Sequence, residues 1–119
     1  MRAQSENLLT KFVAYQVAME AFRLTAIASE KWKGFIELRD QARGAAGSVT
    51  HNLAEGNGWP RGSKARHKYQ RTALGSALEL ESALDDAANV GLGDPRELAE
   101  ARAAAGRAAR LCTGLVRPH

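Results

Sequence analysis

Residues 45–79 read AAGSVTHNLAEGNGWPRGSKARHKYQRTALGSALE, and this stretch decides the fold. It opens with apolar residues spaced as on a helix and is then interrupted by Gly56, Gly58 and Pro60. Glycine tolerates a positive φ and proline cannot continue the helical hydrogen-bond ladder, so we expect a helix to end here. Ser63 is a suitable N-cap for the next helix, whose first turns are rich in lysine and arginine. The stretch therefore predicts two helices joined by a basic turn.

Apolar residues elsewhere in the chain also recur at steps of three, four and seven, the spacing of a helix face. Four helices are predicted, at about residues 8–30, 35–56, 63–90 and 95–115. The fourth has the sharpest start, because Asp94 can cap it, Pro95 suits its first position and Glu97 can reach back as a capping box. No strand-like alternation occurs, and the connections are short. The sequence predicts one all-α domain, residues 1–119, folded as an antiparallel up-down-up-down four-helix bundle.

The first predicted helix carries two apolar stripes, which is more than one bundle core needs. The stripes are Leu9, Val13, Val17, Leu24 and Ile27, and beside them Phe12, Tyr15, Met19 and Phe22. Either this helix is buried on all sides, or one stripe contacts another subunit. In the second helix, Gly44 and Gly47 each cost about 1 kcal/mol relative to alanine. Glycine at that cost predicts close approach by the backbone of a neighbouring helix.

Composition limits the class of protein. The chain has 119 residues, of which 45% are hydrophobic and 25% charged, enough for one globular core. Its formal net charge of +4 permits an anionic partner without requiring one. The single cysteine, Cys112, excludes an internal disulfide and lies on an apolar seam, where a small core residue is favoured over a reactive thiol. No signal peptide or long apolar run is present, so we expect a cytoplasmic protein with no membrane contact.

The strongest candidate for a binding surface is the basic block after Pro60. Its cations are Arg61, Lys64, Arg66, Lys68 and Arg71, and no acid occurs between Glu55 and Glu79. Three of these cations, spaced four and three residues apart, share one helix face. The helix start adds free backbone N–H groups that favour phosphate, and Trp59 and Tyr69 can stack on bases. These features predict binding of RNA or DNA through the phosphate backbone.

An alternative interpretation is that the basic block is a solvated face or a docking edge for a partner protein. Asp85 and Asp86 would offer it an acidic patch on another copy of the chain. Catalysis and metal binding have less support. His51 and Glu55 can present two metal ligands but lack a third, and Ser48 beside His51 lacks an orienting acid. We therefore predict a non-enzymatic protein without a cofactor or a metal.

Three segments of the chain resemble the bacterial family called four helix bundle proteins: SVTHNLAEG at Ser48–Gly56, GSK at Gly62–Lys64 and ALGSALELE at Ala73–Glu81. That family includes proteins encoded in intervening sequences of large-subunit rRNA genes and a related accessory subunit of diversity-generating retroelements. Its signature is roughly S-I-x-x-N-I-A-E-G, a short basic turn and A-x-G-S-x-x-E-L. The matching positions here are Ser48, Asn52, Ala54, Glu55, Gly56, Ala73, Gly75, Ser76, Glu79 and Leu80.

The resemblance implies a four-helix bundle that assembles into a closed homopentamer and has no agreed enzymatic activity. It also implies a basic surface that engages RNA, DNA or a reverse transcriptase. Roles in helix packing or at a subunit interface are implied for Asn52, Glu55, Gly56, Gly75, Ser76 and Glu79. Trp59 and Pro60 depart from the family pattern, because they lengthen the turn before the basic helix.

Overall fold

The computed structural model describes residues 12–117, and within them four α-helices and no strands are present. The helices are α1 Val13–Ser29, α2 Ile36–Gly56, α3 Lys64–Asn89 and α4 Pro95–Val116. Each helix contacts the next one in the chain, and α4 returns to contact α1. The predicted all-α four-helix bundle is confirmed. The beginning of the first predicted helix lies outside the described residues, and none of the described helices is long and apolar enough to cross a membrane.

The helices α2, α3 and α4 each bury an apolar seam, as the recurrence of apolar residues at steps of three, four and seven predicts. The buried seam residues are Ala42, Ala45, Val49, Leu53, Ala73, Ser76, Leu80, Leu84, Ala87, Leu98, Ala101, Ala105, Ala108 and Cys112. Phe35 precedes α2 and is exposed, so it lies outside the seam of that helix. Burial raises the pKa of the Cys112 thiol to about 11, which fits a core residue and not a reactive one.

α1 contacts its neighbours through small side chains. Its buried face consists of Ala14, Ala18, Ala21, Thr25, Ala28 and Ser29. Neither predicted stripe forms this face, since Val13, Met19, Phe22 and Ile27 are all exposed. Small residues at a helix contact shorten the distance between helix axes, which leaves the longer side chains on either flank. Burial of this helix on all sides is therefore wrong, and contact of an exposed stripe with another subunit stays a prediction.

A buried tryptophan joins the two connections at one end of the bundle. Trp32, between α1 and α2, is only 3% exposed and lies against Gly93, between α3 and α4. Gly93 has a φ of +68°, and a Cβ atom added there would lie 2.9 Å from Cδ1 of Trp32. Both the backbone conformation and the close contact require glycine at this position. The sequence pattern had marked Trp32 only as part of a connection.

The start of α4 is capped as predicted, with one difference. The Asp94 carboxylate accepts hydrogen bonds from the backbone N–H groups of Arg96 and Glu97, at 2.8 and 3.1 Å. The Glu97 carboxylate does not complete a capping box, because it lies 3.2 Å from Nζ of Lys31 and pairs with it across the connection. The ion pair therefore links the α1–α2 connection to α4.

The two glycines inside α2 do not mark a close helix contact within the protomer. A Cβ atom added at Gly44 would meet no atom within 4 Å, and one added at Gly47 would just reach Cζ of Phe22, at 4.0 Å. The prediction of close backbone approach at these positions was therefore wrong for contacts among the described residues. Instead, the glycines leave an open surface beside the exposed side of α1.

Candidate nucleic-acid interface

The turn between α2 and α3 is held in place by one of its own basic side chains. The Arg66 guanidinium donates hydrogen bonds to the carbonyl oxygen of Trp59, at 3.1 Å, and to Oδ1 of Asn57, at 2.9 Å. Ser63 Oγ accepts from the backbone N–H of Arg66 at 3.1 Å, which confirms Ser63 as the N-cap of α3. The Arg66 side chain is thus occupied within the turn and is less available to a ligand than its charge suggested.

Gly56 sets how closely the end of α2 approaches α3. The residue is buried, and a Cβ atom added to it would lie 3.2 Å from Cβ of Tyr69 and 3.5 Å from the carbonyl oxygen of Arg66. Tyr69 is half-buried in this contact, whereas Trp59 in the turn is 46% exposed. Of the two aromatic residues predicted to stack on bases, Trp59 is therefore the more accessible.

A polar contact joins α2 and α3 about two turns further into the bundle. Ser48 Oγ lies 2.7 Å from Ser76 Oγ, and the Asn52 side-chain amide donates to the carbonyl oxygen and the hydroxyl of Ser48, at 2.8 and 3.1 Å. The Ser76 hydroxyl thus reaches across to α2 and does not bond to its own helix. These three residues satisfy one another within the helix contact.

Four of the five predicted cations are exposed on the outside of the bundle: Arg61, Lys64, Lys68 and Arg71. The three on α3 lie on the side of the helix opposite its buried Ala73 and Ala77. Ion pairs within residues 12–117 join Arg23 to Glu20, Lys31 to Glu97 and Arg102 to Asp85. None of them involves these four cations, so their charges are free to meet an anion.

The end of α4 adds two arginines to this surface. His67 Nε2 lies 3.3 Å from the carbonyl oxygen of Val116, which brings the last turn of α4 against the first turn of α3. Arg110 and Arg117 are exposed on this part of α4 and take part in none of the ion pairs above. We call the six cations together the basic end; its members are Arg61, Lys64, Lys68, Arg71, Arg110 and Arg117.

The two α4 arginines lie about 40 residues or more from the basic block in the chain, so residue spacing within the block does not reveal them. A signal was nevertheless available. In an up-down-up-down bundle, the last turn of α4 necessarily lies beside the first turn of α3. Combining the predicted topology with the positions of all arginines would have placed Arg110 and Arg117 at this end.

Acidic residues are concentrated away from the basic end. The last two turns of α2, the first two of α3, the last two of α4 and the α2–α3 turn contain one acid, Glu55. Most other acids of the described residues lie in the opposite half: Glu30, Glu37, Asp40, Asp85, Asp86, Asp94, Glu97 and Glu100. Charge is therefore separated along the length of the bundle, which directs anions toward one end.

The remaining predicted interface residues lie on the surface. Glu55 is exposed and forms no ion pair within 4 Å among the described residues, neither with Lys64 nor with Arg71. Gly75 and Glu79 are also exposed, and a Cβ atom added at Gly75 would meet nothing within 4 Å. An interface role for these three residues stays a prediction. No three His, Cys, Asp or Glu side chains in residues 12–117 are grouped to hold a metal ion.

A family model described as 23S rRNA-intervening sequence protein matches residues 6–114, nearly the whole chain. The chain belongs to this family. No curated protein matches it. Of the residues that match the signature, four lie at the contact between α2 and α3 (Ser48, Asn52, Gly56 and Ser76), and three others are on the surface (Glu55, Gly75 and Glu79).

Proposed function

We propose that this protein is a non-enzymatic, homo-oligomeric bundle that binds nucleic acid through its basic end. The observation that supports this function best is the set of six exposed cations, none of them in an ion pair within residues 12–117. Lysines and arginines of this kind bind phosphates and release the counterions condensed on the nucleic acid. Such contacts position a protein on the backbone and carry no sequence information.

The geometry of the basic end favours RNA with unpaired bases. Lys64, Lys68 and Arg71 extend about 10 Å along the outside of α3, at 1.5 Å per residue. Trp59 lies exposed in the turn that precedes them, where it can stack on a base that is not paired. Because a duplex keeps its bases stacked on one another, we expect structured RNA with loops to bind more tightly than duplex DNA.

Self-assembly is the second part of the proposal. Met19 and Phe22 are exposed on α1, and Cζ of Phe22 lies 4.0 Å from where a Cβ atom of Gly47 on α2 would be. An apolar surface of this kind is typical of a protein contact. We propose that it joins copies of the chain, and the family resemblance implies a ring of five. A measured mass of five times 12.8 kDa would support the ring, and a monomer at micromolar concentration would contradict it.

The same apolar surface favours a second candidate function, an assembly module that docks on a protein such as a reverse transcriptase. In that case the basic end would contact acidic side chains of the partner, and nucleic acid would not bind. The two candidates differ in one measurable property, which is affinity for RNA in the absence of any other protein.

Fluorescence anisotropy with a labelled hairpin RNA and a duplex DNA tests the proposal. The test variant carries Lys64→Ala and Arg71→Ala, and its matched control carries Lys33→Ala and Arg96→Ala, which removes the same charges from exposed positions near the other end. We expect the test variant to bind about tenfold or more weakly at moderate salt and the control to bind nearly as the native protein does. Equal losses in both variants, or no binding even at low salt, would overturn the proposal.

A further inference from the structure

The outer face of α3 changes character along its length. At steps of three and four residues it presents Lys64, Lys68, Arg71, Gly75, Leu78, Ser82, Asp86 and Asn89, and all eight are exposed. The first three are basic, the middle three are small or apolar, and the last two are an acid and an amide. We call these eight residues the α3 stripe. When two such stripes lie antiparallel, the basic end of each copy lies opposite the acidic end of the other.

The spacing of the charges in the α3 stripe allows basic residues of one copy to align with acidic residues of an antiparallel second copy. Lys68 and Asp86 are 18 residues apart, which is five full helical turns, so they lie on the same face about 27 Å from each other. Each is nine residues from Ala77. If two copies of α3 lie antiparallel with a two-fold axis at the level of Ala77, Lys68 of each copy lies opposite the partner's Asp86.

The middle of the stripe suits a helix contact. Gly75 has no side chain and open space around it, since a Cβ atom added there would meet nothing within 4 Å. Leu78 is 53% exposed although it lies among polar residues on the outside of the bundle. In the antiparallel arrangement the leucines of the two copies lie side by side near the axis, and the glycines let the helices approach closely.

Asp86 is the acid available for this contact. Its neighbour Asp85 is already paired with Arg102, at 2.8 Å, on the side of α3 that faces α4. Asp86 is exposed on the α3 stripe and takes part in none of the ion pairs within residues 12–117. Lys68 is equally without an ion pair, so both members of the proposed pair are free in the protomer.

We infer that α3 forms an antiparallel two-fold contact with α3 of a second copy of this chain, centred on Gly75 and Leu78 and flanked by two Lys68–Asp86 pairs. One helix stripe is a small interface, so association is weak and depends on concentration. A two-fold contact joins copies in pairs and is distinct from the head-to-tail contact that closes a ring. It also covers Lys64, Lys68 and Arg71, so self-association competes with nucleic-acid binding; this consequence, unlike the contact itself, rests on the proposed function.

Charge exchange tests the pairing directly, in the absence of nucleic acid. Sedimentation at low salt would compare the native chain with Lys68→Glu, Asp86→Lys and the double variant. Each single variant places like charges opposite each other twice, so we expect dimer affinity to fall at least about tenfold, and the double variant to recover it. Lys33→Glu, the same charge change at an exposed residue outside the stripe, is the control and should leave association unchanged. Unaltered association in the single variants, or no recovery in the double variant, would overturn the contact.

A disulfide tests the register. Leu78→Cys places two thiols near the axis, whereas Ser82→Cys places them about 15 Å apart along the helices. Native Cys112 does not interfere, because it is buried and its thiol pKa is raised to about 11. Oxidation should cross-link the first variant and not the second, and the reverse result, or equal cross-linking, would contradict the register.

Added hairpin RNA should lower the yield of the Leu78→Cys dimer. If RNA binds and the yield does not change, the proposed competition is wrong, whereas the contact between the two helices stands.

Discussion

The two ends of the bundle contain the same residue types in different environments, buried or ion-paired at one end and exposed at the other. At the end that joins α1 to α2 and α3 to α4, Trp32 is buried against Gly93 and Lys31 is paired with Glu97. At the basic end, Trp59 is 46% exposed and six cations have no ion pair. A tryptophan in a connection thus stabilises the fold when neighbouring elements enclose it, and a lysine there pairs with an acid when one lies within reach. Without such neighbours, the same side chains are available to a ligand.

The largest effect should come from exchanging the two tryptophans for alanine. Trp32→Ala removes a buried aromatic side chain and should lower the free energy of unfolding by about 3–5 kcal/mol. Trp59→Ala should change it by less than about 1 kcal/mol, because much of this side chain is already in water. Urea denaturation measures both. Trp59→Ala should instead weaken RNA binding through lost stacking, and equal destabilisation by the two variants would contradict the difference between the ends.

A smaller difference in the free energy of unfolding should distinguish alanine substitutions at two glycines. Gly56→Ala places a Cβ atom 3.2 Å from Cβ of Tyr69 at the base of the basic end, and the helices must shift to accommodate it. We expect a loss of about 1–3 kcal/mol in the free energy of unfolding. Gly75→Ala, on the open face of the same helix pair, should gain up to about 1 kcal/mol from helix propensity. Thermal unfolding distinguishes these outcomes, and a stabilising Gly56→Ala would show that the contact is looser than described.

Two arginines near the α2–α3 turn extend the comparison, because Arg66 is hydrogen-bonded within the turn and Arg61 is exposed. Arg66→Ala removes the hydrogen bonds to Trp59 and Asn57, so we expect a loss of about 1–2 kcal/mol in the free energy of unfolding. Arg61→Ala, in the same turn, should leave stability unchanged and lower RNA affinity. Measuring stability and anisotropy on both variants checks this division. The opposite pattern would mean that Arg66, and not Arg61, faces the nucleic acid.

The smallest effect concerns the capped start of α4 and depends on pH. Hydrogen bonds from the backbone N–H groups of Glu97 and Arg96 hold the pKa of Asp94 below its ordinary value of 3.8. Because the folded-state pKa is the lower one, this group stabilises the fold above the ordinary value, and the contribution is lost as pH falls through the folded-state pKa. Asp94→Asn keeps a capping side chain without the charge. The native protein should therefore have the higher melting temperature at neutral pH, and this difference should disappear in acid; a difference that persists in acid would contradict the assignment.

Local sequence signals predicted the fold, because they report properties of single helices. The apolar seams of α2–α4, the Ser63 cap and the Asp94 cap all depend on residues within a few positions of one another. The buried face of α1 was missed because alanines are weak markers of a core beside two stripes of larger residues. Burial of Trp32 was missed because its contact with Gly93 joins connections 61 residues apart.

The candidate site was predictable in part for the same reason. The basic block and its shared helix face follow from residue spacing, which identified four of the six cations of the basic end. Arg110 and Arg117 required the antiparallel contact between α3 and α4, and the role of Arg66 required the path of the turn. Spacing along one helix shows which charges share a face, but only the fold shows which of them are already paired.

The salt dependence of RNA binding tests the central claim most directly. The slope of log Kobs against log salt concentration counts the phosphate contacts of a protein. The account predicts that Lys64→Ala with Arg71→Ala reduces the magnitude of this slope by about one for each cation removed, while Lys33→Ala with Arg96→Ala leaves it at the native value. One common slope for the native protein and both variants would contradict the account, because it would mean that the cations of α3 do not contact phosphate.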